Sequence, residues 1–186
     1  MSARAPSETE LVENSRKVLY KIWMFAQTSR LINKLPRTSE GLELDEHVQG
    51  LALLESMLIH ARELMHFLYF PPKGRYIRAV DYLGDQSALP PKWPRFNRDL
   101  ELIDKDLAHL TYEDLGDVAE WHPRGQLTGA LAAFVKAVPE DLVVHNFKAQ
   151  AWGPLADQSD LASLTVATPD GSKSVRAHRI HEILDG

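Results

Sequence analysis

The sequence predicts an all-α fold, an antiparallel bundle of four main helices with short extra helical turns and a flexible or weakly β C-terminal segment. Three observations carry this expectation. Apolar residues recur at three- and four-residue steps over four long stretches. Prolines punctuate the ends of those stretches. After Gly153-Pro154 the aromatic residues vanish and Ser, Thr, Asp and Ala dominate.

The first helix starts after a short disordered lead-in, where Ser7 followed by Glu10 makes a capping-box pattern. Leu11, Val18, Leu19, Ile22, Trp23, Phe25, Ala26 and Ile32 form its apolar stripe. It is expected to run to about Leu35, with Pro36 as its stop. A polar connection from Arg37 to Gly41 leads to a central, heavily buried helix from about Leu42 to Phe70. Leu54, Met57, Leu58, Ala61, Leu64, Met65 and Leu68 fall along one broad face at 100° per residue, with Leu51 and Leu53 near its edges. Gly50 marks a bend or a close helix crossing, and Pro71-Pro72 ends the helix.

One or two helical turns are expected between Tyr76 and Leu83. A connection containing Pro90, Pro91, Trp93 and Pro94 follows, with the indole packed as a lid over the bundle end. The third long helix runs from about Arg95 to Leu110 on a stripe of Phe96, Leu100, Ile103, Leu107 and Leu110. Thr111 to Asp117 reads as a turn. A fourth helix follows from Pro123, an acceptable first-turn position, to Val138. Pro139 then precedes a short helix expected within Glu140 to Ala151. The alternation around Pro169-Asp170-Gly171 suggests a small hairpin, marginal on its own in water. The bundle domain is therefore expected over residues 1–152 and the tail over 153–186.

A length of 186 residues fits one domain with a real core. Apolar residues at 44% and charged residues at 25% argue against wholesale disorder and a membrane protein. Twenty-one Lys and Arg against 26 Asp and Glu give a net charge of −5, so any nucleic-acid contact has to be local. Cysteine is absent, which excludes disulfides, thiolate ligands and a cysteine nucleophile. With no signal-peptide core and no apolar run long enough to cross a bilayer, the expected location is the cytoplasm.

The search for chemistry starts from the eight histidines, because imidazole changes charge near neutral pH. His60 lies on the flank of the apolar face of the central helix, with Arg62 at the opposite border. It reads as a hydrogen-bonded core residue or as a proton-transfer group. His109 closes the third helix one turn after Asp106, which could orient the ring, although a cationic His there also simply favours the helix dipole. Glu63-x-x-His66 and Asp106-x-x-His109 share the spacing of di-iron bundles, but the first pair is on the polar side and the further glutamates have no clear candidates. No metal or cofactor is therefore expected. Basic residues interleave with aromatic ones in Pro71-Pro-Lys73-Gly-Arg75-Tyr76-Ile-Arg78 and again in Lys92-Trp93-Pro-Arg95-Phe96-Asn-Arg98, a composition that suits single-stranded RNA or, equally, a solvated loop anchored by its aromatics. Gly-rich phosphate loops and a Gly-x-Ser-x-Gly elbow are missing.

The segments Leu53-Leu-Glu55-Ser-Met-Leu-Ile-His60-Ala-Arg62-Glu-Leu and Asp104-Lys-Asp106-Leu-Ala-His109-Leu-Thr-Tyr112 look like those of a group of uncharacterised bacterial helical proteins, and more loosely the chain resembles the HEPN superfamily over about Leu42 to Val138. That resemblance implies a homodimeric, RNA-directed protein of defence or toxin–antitoxin type, cutting RNA without a metal. In HEPN ribonucleases an Arg stands a few residues before a His on one helix. Here the residue five before His109 is Asp104, and Arg62 is followed by His66 after only three residues. On this reading His60 and His109 exchange protons at the 2′-hydroxyl and leaving oxygen, Arg62 from the neighbouring helix holds the phosphate, and Arg75 and Arg78 bind substrate. The alternative is a non-catalytic helical module that binds a protein partner.

Overall fold

The computed structural model describes residues 4–34, 44–70, 76–85, 87–108 and 123–156. Among them the fold is all-α, with no strand: α1 (Glu8–Ile32), α2 (Leu44–Tyr69), α3 (Ala79–Leu83), α4 (Phe96–Ala108), α5 (Pro123–Ala137), a 3₁₀ turn (Glu140–Leu142) and α6 (Phe147–Ala156). The hairpin expected in the tail, His109 and Arg75 lie outside the described residues.

The capping box forms as the sequence implies. Ser7 Oγ accepts from the Glu10 N–H at 3.3 Å, and Glu10 Oε2 accepts from the Ser7 N–H at 2.7 Å. These bonds satisfy donors that a helix start otherwise leaves open. At the other end α1 closes at Ile32, with Asn33 as its C-cap, a little before the expected Leu35.

Every residue of the broad face predicted for α2 is buried, from Leu54 to Leu68. Helix α2 has this many buried positions because it packs against α1, α3, α4 and α5. Ring and polar contacts set the directions. Tyr82 touches both Phe67 of α2 and Leu11 of α1, while further along α1 Lys21 reaches Glu63, so α1 and α2 run antiparallel. Likewise Tyr69 meets Phe96 and Arg62 meets Asp104, which makes α4 antiparallel to α2. Phe134 of α5 sits at the centre, edge-on to Phe67 at 5.0 Å, Tyr82 at 5.8 Å and Phe147 at 6.4 Å. Such edge-to-face contacts add to the burial of the rings themselves.

The lid expected at Trp93 takes a specific form. Its indole Nε1–H donates to Asp99 Oδ2 at 2.7 Å, and its ring packs on Phe96 at 4.9 Å. Asp99 is a buried carboxylate in the first turn of α4, satisfied by that bond and placed where the helix dipole favours negative charge.

The segment after α5 departs from the single short helix expected within residues 140–151. A 3₁₀ turn ends at Leu142, Val143 is extended, and Asn146 adopts φ 61°, a left-handed conformation that Asn tolerates better than most residues. Val144 N–H is held by Ser15 Oγ at 2.9 Å, which ties this break to α1. Helix α6 then starts at Phe147 and continues through Gly153 and Pro154 to Ala156, past the boundary expected at residue 152. Leu155 is fully buried, so the last turn of α6 belongs to the core.

Candidate functional site: a basic and aromatic cluster beside the central helix

Residues four apart share one face of a helix. Arg62, His66 and Phe70 follow this spacing on and just beyond α2, and all three are half-buried. The His66 imidazole stacks on the Phe70 ring, with centroids 4.4 Å apart and planes 20° from parallel. Lys92 continues the stack, its Nζ 4.9 Å from the Phe70 centroid and 4.8 Å from that of Phe96, both within cation–π range.

Two further charged groups close over this stripe. From α4, Asp104 accepts a hydrogen bond from Arg62 Nε. From the strap before α3, Arg78 contributes a guanidinium that lies 5.3 Å from the ring of Tyr76, a residue 70% exposed. Arg78 also caps α3, its backbone N–H donating to Asp81 Oδ2 at 2.7 Å.

Two ring or guanidinium nitrogens in this cluster lack partners. His66 Nε2 and Arg78 Nε are both shielded from solvent and have no hydrogen-bond partner. An unmet buried donor costs about 1–3 kcal/mol. Burial holds His66 below the usual imidazole range, and the positive charges of Arg62 and Arg78 push it the same way, with Asp104 opposing. Burial also draws the Arg78 guanidinium below its ordinary value, which still leaves it cationic at neutral pH. The cluster thus presents a neutral imidazole within the field of two guanidinium groups, and it is chemically suited to an oxyanion.

His60 sits elsewhere. It faces α1, where its Nδ1 is 3.5 Å from Glu63 Oε2 and its ring is edge-on to Tyr20 at 5.7 Å. The same Glu63 oxygen takes Lys21 Nζ at 3.2 Å. Burial lowers the His60 pKa, with the Glu63 carboxylate acting against that shift. Two residues along a helix is a 200° rotation, so His60 and Arg62 point to opposite flanks of α2. Of the residues singled out from the sequence, the structure gathers Arg62 and Arg78 and sets His60 apart. His66, which the sequence pairs with Arg62 and with Glu63, was given no role. It does lie off the main apolar face, but its four-residue step from Arg62 was the available signal, and Arg78 and Asp104 come to it from distant sequence.

Glu63 and His66, read as a metal-ligand pair by spacing, face different neighbours: Glu63 turns to Lys21 and His66 to Phe70. Among the described residues no three His, Asp or Glu side chains are grouped to hold a metal. Nor, among them, is any helix long and apolar enough to cross a membrane.

A second surface feature lies on α1. Arg16, Leu19, Tyr20 and Trp23 line an open groove of about 600 Å³ with Val144, His145 and Gln150. Tyr20 is 56% exposed and Trp23 47%. No protein family, curated protein or solved structure matches the chain.

Proposed function

We propose that this chain is a cytoplasmic, HEPN-like, RNA-directed protein that binds RNA through the cluster beside α2 and acts as a homodimer. The observation that supports it is the placing of His66, Arg78 and Lys92 on exposed or half-buried aromatic rings, with Arg62 one turn from His66 on the same helix. Cations that contact phosphate and rings that accept stacked bases are the two components of single-strand recognition. A net charge of −5 is no obstacle, because the attraction is confined to this patch.

Metal-independent cleavage is the finer reading, with His60 and His109 transferring protons and Arg62 holding the phosphate. The burial of His60 against α1, away from Arg62, makes RNA binding the better supported part. The direct test is incubation of a mixed RNA pool with the wild-type protein, His60→Ala and His109→Ala, each checked for helicity and oligomeric state. Loss of cleavage in a folded variant establishes a ribonuclease. Absence of both cleavage and binding by the wild type overturns the RNA reading.

The groove on α1 favours a second reading, a non-catalytic module that docks a protein. Half-exposed Tyr20 and Trp23 are of the type enriched at interfaces. Sedimentation velocity of wild type beside Trp23→Glu tests whether this face joins two copies.

A further inference from the structure

Within the cluster, one arrangement points to the seat of a single phosphate. Arg62 Nε is engaged by the Asp104 carboxylate, the group whose negative charge a phosphate oxygen would replace. His66 Nε2 and Arg78 Nε have no hydrogen-bond partner, and the charges of Arg62, Arg78 and Asp104 all act on the His66 ring. Tyr76, with Arg78 above its ring and 70% of its surface open, offers a stacking platform next to the same guanidinium. We propose that a phosphodiester of single-stranded RNA seats between Arg62, His66 and Arg78 by displacing Asp104 from Arg62, with the adjoining base stacked on Tyr76. The inference rests on the RNA reading above and adds the seat, the competing carboxylate and the base platform.

Asp104 acts in this arrangement as a placeholder. In the free protein it neutralises Arg62; in the complex it repels the incoming anion, so its removal strengthens binding. His66 has the opposite role. The groups facing it are Arg62 on its own helix, Asp104 from α4 and Arg78 from the strap before α3. A bound phosphodiester adds negative charge to that set and favours the imidazolium, so binding takes up a proton and affinity rises as pH falls from 7.5 to 5.5. The phosphodiester itself keeps one charge across that range.

The test uses the full chain with a fluorescent oligouridine of eight nucleotides, read by anisotropy, and inorganic phosphate, read from the His66 Hε1 resonance. Arg78→Ala is expected to weaken oligouridine about tenfold and Asp104→Asn to tighten it about tenfold. Tyr76→Ala should weaken oligouridine about five- to tenfold and leave the phosphate titration unchanged. His66→Gln should flatten the pH dependence. All four variants are compared with wild type by circular dichroism first. Oligouridine binding that none of these substitutions alters overturns the seat and leaves the RNA reading standing. A His66 shift with phosphate but no oligouridine binding overturns both the RNA reading and the nucleic-acid seat, reducing the site to an anion pocket. No response to either probe overturns both as well.

Discussion

Arg62 of α2 donates its Nε–H to Asp104 of α4, linking the central helix to the helix that leads toward His109. Both side chains remain open to water, 44% and 48% exposed, so the bond is surface chemistry and not a core contact. Its interest lies in position. It fixes a cation between α2 and α4, beside an imidazole whose buried nitrogen has no partner.

An exposed pair of this kind contributes little to stability, because water and salt screen it. A double-mutant cycle of Arg62→Ala and Asp104→Ala is expected to give a coupling below about 1 kcal/mol in urea denaturation, shrinking further in added salt. A coupling of several kcal/mol that salt does not change would show a structural strut in place of a displaceable contact.

Phe134 holds the aromatic centre of the bundle and is fully buried against Phe67, Tyr82 and Phe147. Phe134→Ala should cost about 3–5 kcal/mol, the sum of lost burial and a residual cavity. Calorimetry or denaturant melts will read this as a large fall in stability, whereas a change under 1 kcal/mol would mean that the core closes around the gap.

Tyr82 ties α3 to α1. Its phenol donates to the Leu11 carbonyl at 2.8 Å and accepts from Asn14 Nδ2 at 3.2 Å. Burial pushes its pKa up to about 12. Tyr82→Phe should therefore cost about 1–2 kcal/mol, since the Leu11 carbonyl is left without its side-chain donor. A raised phenol pKa also means that its contribution is present below the ordinary value near 10 and lost as pH climbs toward 12. In alkaline melts the wild type should lose its margin over Tyr82→Phe across that interval.

His60 and His66 both titrate below the usual imidazole value in the folded chain, chiefly because burial penalises the charged ring. The unfolded chain then takes up protons first as pH falls. Stability is fully present above about pH 6.5 and declines as pH drops through that value toward the folded pKa values, by at most about 1.4 kcal/mol per pH unit for each ring. Melting temperatures between pH 7.5 and 5 should fall more steeply in wild type than in His60→Gln or His66→Gln. Equal slopes in all three would locate the acid sensitivity elsewhere.

The helices were legible because their cues are local. Ser7 with Glu10 marked the start of α1, and seven of the buried positions of α2 could be read from spacing alone. The break between the 3₁₀ turn and α6 was not, since it depends on Asn146 turning left-handed and on Ser15, far away in sequence, bonding Val144. The end of α6 is likewise set by packing. Gly153-Pro154 reads as a stop, yet the proline falls within the last turns of α6, and Leu155 gains enough burial to keep the helix going.

The site divides in the same way. Arg62 stood out as a polar residue bordering an apolar face, and Arg78 as part of a basic stretch. What α2 alone could not reveal was that the 76–78 strap and Asp104 converge on His66, because a helical wheel counts only its own residues. His60 drew attention by its apolar sequence neighbours, but in the structure its ring meets Tyr20 and the Lys21–Glu63 ion pair.

The most direct measurement is the salt dependence of oligouridine binding to wild type and Lys92→Ala. With one phosphate shared by Arg62 and Arg78 and a second on Lys92, log affinity should fall with log salt at a slope of about −1.4, and removing Lys92 should make the slope shallower by about 0.7. Binding that is undetectable at low salt, or a slope that Lys92→Ala leaves unchanged, would contradict recognition of RNA at this cluster.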